Sequence, residues 1–117
     1  MNKTILAIDD DELMLAFYRS VLAEFGTVRT ALNLDEARRQ MDGVDLILLD
    51  FYLEDDKDLF QQIVPELRNE APVLLCSGVQ DERVSGIGSA LGVAGYWNKR
   101  AGHDKLLALV RTVLDKE

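Results

Sequence analysis

A single cysteine, Cys76, stands among the 117 residues, so no internal disulfide can form and the chain suits a reducing cytoplasm. Positive charge is also short: 13 Lys and Arg against 21 Asp and Glu leave a net charge of −8 at pH 7. That deficit argues against non-specific nucleic-acid binding, which needs a basic stripe, and against docking on anionic lipid. No apolar run approaches the ~20 residues that span a bilayer. The opening run in MNKTILAIDD is too short for a signal peptide, and Asp9 cuts it. Repeats, low-complexity tracts and linkers are missing too. One domain over residues 1–117, with a single core, is the expectation.

What the chain has instead is a set of short apolar runs that stop at polar residues. The central run, residues 46–49, ends at Asp50. Four consecutive apolar residues between turn signals fit a strand buried on both faces of a parallel sheet. Thr4 to Ile8 is a second such run, ended by Asp9, Asp10, Asp11 and Glu12. Val28 to Ala31 is weaker and alternating, as near a sheet edge. Val73 to Cys76 stops at Ser77, and Val93 to Trp97 stops at Asn98 and Lys99.

Helical patterns separate these runs. The first reaches about Glu24, with Met14, Phe17, Val21 and Phe25 as its apolar stripe and Gly26 as its end. Asn33 and Glu36 resemble a capping box for a short helix through Met41. A third helix starts near Asp58, after the acidic loop of residues 54–58, and carries Leu59, Ile63 and Leu67. Pro65 should kink or shorten it. A weak fourth covers residues 81–91, where Gly86 and Gly88 each cost about 1 kcal/mol relative to Ala. The last runs from about His103 to Leu114. Strands alternating with helices five times predict a doubly wound α/β domain.

In open sheets of this kind, ligands bind beyond the carboxyl ends of the strands. Asp9 and Asp10, Asp50, Ser77 and Lys99 all follow strand ends, so they are candidates to converge there. Three clustered carboxylates repel, and at least one pKa would rise unless a cation sat among them. Mg²⁺ fits, because it is hard, takes oxygen ligands and keeps several waters. A carboxylate beside it can attack a phosphoryl group and form an acyl phosphate. Lys99 would neutralise a second phosphoryl oxygen, and the Ser77 hydroxyl would hydrogen-bond a third.

Nearly the whole chain resembles the receiver domains of two-component response regulators. The resemblance rests on ILAIDD, DLILLD, VLLCSG and GYWNK, taken in order and spacing. It implies a flavodoxin-like, three-layer α/β/α fold, with five helices around a five-stranded parallel sheet of order 2-1-3-4-5. It implies that Asp50 is the phosphoacceptor and that Mg²⁺, or Mn²⁺ in its place, is held by Asp10, Asp50 and the Tyr52 carbonyl. Asp9 would contribute mainly through water. Ser77 would be the switch hydroxyl, Lys99 the phosphate-binding lysine and Tyr96 the switch aromatic. The competing reading of Tyr96 is a half-buried strand aromatic.

The implied role is a signalling module that turns over no external substrate. A histidine kinase or histidine phosphotransfer protein would supply the phosphoryl group. The face of the fourth helix, fifth strand and fifth helix would then act on an output domain, a partner or a second copy.

Some positions depart from the family. Glu54 and Asp58 stand where Pro and Gly are common, and Gly78 where Ala is usual. Arg100 replaces the Pro whose bond to the lysine is cis, so a trans bond is expected, or a locally strained one. Tyr52 and Val79 offer no carboxamide or carboxylate to orient a hydrolytic water, which predicts a long-lived phosphoryl group. The segment around Gly86 and Gly88 should be mobile before activation.

Other classes compete. Asp9-x-Asp11 resembles the nucleophile motif of haloacid-dehalogenase-like phosphatases, but Glu12-Leu13 follows where those carry Gly-Thr or Gly-Val. A receiver-shaped interaction domain that works without phosphorylation is a third reading. Flavin binding is disfavoured, since four acids after the first strand would repel its phosphate. His103 reads as a surface residue and Cys76 as a small hydrophobe. Trp97 reads as core or as a partner contact.

Overall fold

The computed structural model describes residues 2–53, 58–78, 86 and 89–116. Five parallel strands form one sheet: β1 (Lys3–Ile8), β2 (Gly26–Ala31), β3 (Leu46–Asp50), β4 (Val73–Ser77) and β5 (Gly95–Asn98). Their order is β2-β1-β3-β4-β5. The bounded helices are α1 (Glu12–Val21), α2 (Leu34–Arg38), α3 (Leu59–Arg68) and α4 (His103–Asp115). Residues 86 and 89–91 are helical within the crossover from β4 to β5. This is the expected flavodoxin-like, doubly wound α/β/α sandwich.

The strands sort by burial as their patterns require. Every residue of β3 and β4 is buried, whereas β2 at the edge is largely half-buried. Period-two alternation then divides the core between the two sides of the sheet. Leu6, Ile8, Ile47, Leu49, Val73 and Leu75 pack with α2 and α3. Ile5, Ala7, Leu46, Leu48, Cys76 and Trp97 pack with α1 and α4.

Four local readings change. The buried stripe of α1 is Leu15 and Tyr18, continued by Leu22 just past its end; Met14, Phe17 and Val21 lie half-buried along its flank. The helix ends at Val21, a separate 3-10 turn carries buried Phe25, and Gly26 opens β2 rather than capping α1. Gly26 has φ +136°, and a Cβ there would collide with the Lys3 backbone. Second, α2 stops at Arg38. Asn33 Oδ1 accepts Glu36 N–H at 2.9 Å, but the Glu36 carboxylate accepts from Leu32 rather than Asn33, at 2.8 Å. Third, α3 runs through Pro65 to Arg68. Gln61 and Pro65 are both exposed, so water can take the carbonyl that the proline leaves without a donor. Fourth, β5 begins at Gly95, two residues later than expected. Glu54, Val79 and Gly88 lie outside the described residues, as do most of residues 81–91.

Candidate functional site at the carboxyl edge of the sheet

The alternation that divides the core also decides which polar residues share a side. Asp9 continues the phase of Ile5 and Ala7, Asp50 that of Leu46 and Leu48, and Lys99 that of Trp97. All three therefore leave the sheet on the α1/α4 side. Ser77 continues the phase of Val73 and Leu75, and Tyr96 shares that opposite side.

The first three meet. Lys99 Nζ donates to Asp9 Oδ2 at 2.9 Å and to Asp50 Oδ1 at 3.0 Å. Asp9 is 1% exposed, and its other oxygen accepts Asp11 N–H at 2.9 Å. Asp9, Asp10 and Asp50 each present a carboxylate oxygen within 4.8 Å of the others. Asp10 is the exposed member. Asp11 stands outside this cluster and caps α1, accepting Leu13 N–H at 2.9 Å. The phosphatase-like Asp9-x-Asp11 pair is thus not assembled as a pair.

The electrostatics follow from crowding. Burial, and then the charge on Asp9, push the Asp50 carboxyl above the usual carboxylate range, with Lys99 opposing them. Burial acts to lower the Lys99 pKa, but its hydrogen bond to Asp9 and the charge of Asp50 outweigh that and raise it. Lys99 therefore stays a cation. Three carboxylates around one ammonium still leave excess negative charge, which suits a divalent cation.

The response regulator receiver domain family matches residues 5–111. The chain belongs to that family. This receiver domain is similar in structure to the BeF3-activated DrrB receiver domain, with TM-score 0.84, 26% identity and 98% and 99% of the two chains covered. The response regulator DrrB from Thermotoga maritima, an OmpR/PhoB homolog, also matches at 26% identity and TM-score 0.83. There 99% of this chain covers 54% of the longer one. A CheY-like receiver protein from Methanospirillum hungatei JF-1 shares the fold at 22% identity and TM-score 0.84, with 99% and 96% covered. No curated protein matches. Receiver domains act as phosphorylation switches, not as enzymes on external substrates.

The other expected residues of the receiver domain take distinct positions. Ser77 is buried at the end of β4, one residue beyond Cys76, which registers with Asp50. Phe51 N–H donates to Cys76 O at 2.8 Å. The chain leaves the sheet after that bond, at Tyr52, which is 38% exposed. Tyr96 is half-buried against the α2/α3 side, and its hydroxyl shares a 2.8 Å hydrogen bond with Ser89 Oγ. Trp97 is core: its ring stacks on Phe17 with centroids 6.0 Å apart, and Nε1 donates to Gly102 O at 3.0 Å. Burial pushes the Cys76 thiol up to about 12, which keeps it an inert small hydrophobe. His103 opens α4 at the surface.

Of the departures from the family, Lys99–Arg100 is a trans bond, like every peptide bond among the described residues. Gly78 has open space around it, so an alanine would also fit. Asp58 is exposed just before α3. Residue spacing alone carries no sign of the roles of Asn98, Ser89 or Tyr18. Asn98 accepts Arg100 N–H at 2.8 Å within the turn that bears Lys99.

Proposed function

We propose that residues 1–117 form a cytoplasmic receiver that is phosphorylated on Asp50 and passes that change to a partner. The supporting observation is the Lys99 ammonium, bonded to both Asp9 and Asp50 inside a ring of three carboxylates. Phosphoryl transfer depends mainly on positioning and charge neutralisation, and this constellation offers both. An Asp50 oxygen attacks phosphorus as the bond to the donor's histidine nitrogen breaks, leaving an acyl phosphate. Lys99 exchanges its Asp50 contact for a phosphoryl oxygen while Asp9 keeps it anchored. Ser77 supplies a hydroxyl to another oxygen.

The donor set fits a hard cation. Asp10 and Asp50 would hold Mg²⁺, or Mn²⁺ in its place, with the Tyr52 carbonyl completing the protein ligands. Both Asp9 oxygens are already engaged, which suits contact through water. The ion would relieve carboxylate repulsion and withdraw charge from the phosphoryl group.

Family membership supports a histidine kinase or histidine phosphotransfer protein as the donor. In the switch, Ser77 moves toward the phosphoryl group and Tyr96 follows. This reshapes the face of β5, α4 and the helical crossover before β5, which acts on an output domain, a partner or a second copy. Tyr52 and Val79 supply no water-orienting group, so the acyl phosphate should outlast a few seconds without a phosphatase.

Mass spectrometry after treatment with acetyl phosphate and Mg²⁺ tests the assignment. Wild type should gain one phosphoryl group and Asp50→Asn none. Labelling of both, or of neither, refutes it.

A further inference from the structure

Lys99 sits outside the sheet, on a three-residue 3-10 turn, Lys99–Ala101, between β5 and α4. Its ammonium must satisfy two carboxylates at once, 2.9 and 3.0 Å away. A flexible four-carbon stem does so reproducibly only if the backbone beneath it is held. Two hydrogen bonds from β5 hold this turn. Asn98 Oδ1 accepts Arg100 N–H at 2.8 Å, closing an Asx turn beneath Lys99. Trp97 Nε1 donates to Gly102 O at 3.0 Å at the far end. Asn98 is itself the last residue of β5, in register with Ser77, so the brace starts from a fixed point.

We propose that Asn98 is a positioning residue for Lys99: its side-chain oxygen ends the strand and aims the ammonium at Asp9 and Asp50. The bond supplies an acceptor for an N–H beyond the strand ladder and makes the chain turn where it does. Without it the turn has several alternatives of similar energy, and the ammonium spends less time on the acid pair. The proposal rests on the reading of Lys99 as the phosphoryl-binding cation.

The test is the initial rate of Asp50 phosphorylation by acetyl phosphate and Mg²⁺ in the full chain, with melting curves confirming that each variant folds. Asn98→Ala should slow it by about tenfold, as expected for a misplaced catalytic group. Asn98→Ser, which retains a turn-forming oxygen, should restore most of the rate. Adding Asn98→Ala to Lys99→Ala should change nothing further, because the two act through one ammonium. A wild-type rate in Asn98→Ala, no rescue by serine, or an equal loss in the Lys99→Ala background overturns the proposal while leaving the receiver reading intact. Failure of wild type itself to label removes that reading and this proposal together.

Discussion

The two sides of the sheet end differently at the carboxyl edge. On the α1/α4 side, Asp9, Asp50 and Lys99 stand near a close aromatic cluster. Phe17 and Trp97 are parallel within 2°, and Tyr18 meets them edge-on at 5.8 and 6.1 Å. On the α2/α3 side, Ser77 is buried, but Tyr96 is only half-buried and is tied by its hydroxyl to an exposed Ser89. A charge constellation gains from rigid surroundings, since its groups need no reorganisation during reaction. A switch needs the opposite, a side chain with two placements of comparable energy. Under the proposed function, neighbouring residues on β5, Tyr96 and Trp97, would deliver one strand to both tasks.

The sharpest way to break this contrast is to truncate both rings. Trp97→Ala should cost ~3–5 kcal/mol, because it empties a buried aromatic site. Tyr96→Ala should cost about half of that or less, since much of its ring already meets water. Urea unfolding of the metal-free protein measures both. Equal losses would mean that the two sides are equally rigid and that the division of labour is wrong.

The acid cluster offers the next test, through pH. The folded-state pKa of Asp50 lies above its ordinary 3.8, so between those values the folded chain holds a proton that the unfolded chain has lost. Its contribution to stability therefore falls as pH rises from 3.8 through the folded value. Lys99 behaves otherwise: its folded pKa lies above 10.5, so its contribution is complete at neutral pH and is lost only as pH climbs through that higher value. Asp50→Asn should raise the metal-free melting temperature at pH 7 and flatten the acid-side fall, with Lys99 still paired to Asp9. Mg²⁺ should then stabilise wild type more than the variant. A lower melting temperature for the variant at pH 7 would show that the Lys99–Asp50 attraction outweighs the repulsion.

A smaller change sharpens the picture of the α1/α4 side. Among the described residues the buried Tyr18 hydroxyl makes no well-formed hydrogen bond, and its one polar contact is a weak one with the Cys76 thiol. Burial drives its pKa far up, so it stays neutral. Tyr18→Phe removes an unsatisfied donor at constant shape and should stabilise the chain by about 1 kcal/mol. A loss of that size in chemical denaturation would show that the hydroxyl–thiol contact is favourable.

What could be read from the sequence follows from these same geometries. β1, β3 and β4 were legible because each is a continuous apolar run that stops at a polar residue, and parallel strands share their carboxyl edge. The same pattern points to Asp9, Asp10 and Asp50, which the structure brings together, and Lys99 joins them from the end of β5. The stripe of α1 is ambiguous in the sequence because residues 14, 17 and 21 and residues 15, 18 and 22 are both apolar at helical spacing, about 100° apart. Only packing against the sheet chooses between them. The Asn98–Arg100 and Ser89–Tyr96 bonds were invisible for another reason. They depend on where a turn folds back, and no hydrophobic period encodes that.

The Ser89–Tyr96 bond gives the smallest expected effect. Ser89 is exposed, so Ser89→Ala should lower folding stability by about 1 kcal/mol at most. The bond also bears on the switch. If Tyr96 must leave Ser89 when Ser77 closes on the phosphoryl group, the bond stabilises only the resting placement. Removing it shifts the balance toward the closed one by the bond's net worth, about 0.5–1 kcal/mol at an exposed site. A phosphoryl mimic that favours the closed placement then binds about two- to fivefold more tightly. Titration of wild type and Ser89→Ala with beryllofluoride and Mg²⁺ reads this directly. Tyr96→Phe, which removes the same bond from the other end, should match it. Unchanged affinity in both would mean that Tyr96 keeps its Ser89 contact through the transition, and that the α2/α3 side of the site is as fixed as the acid side.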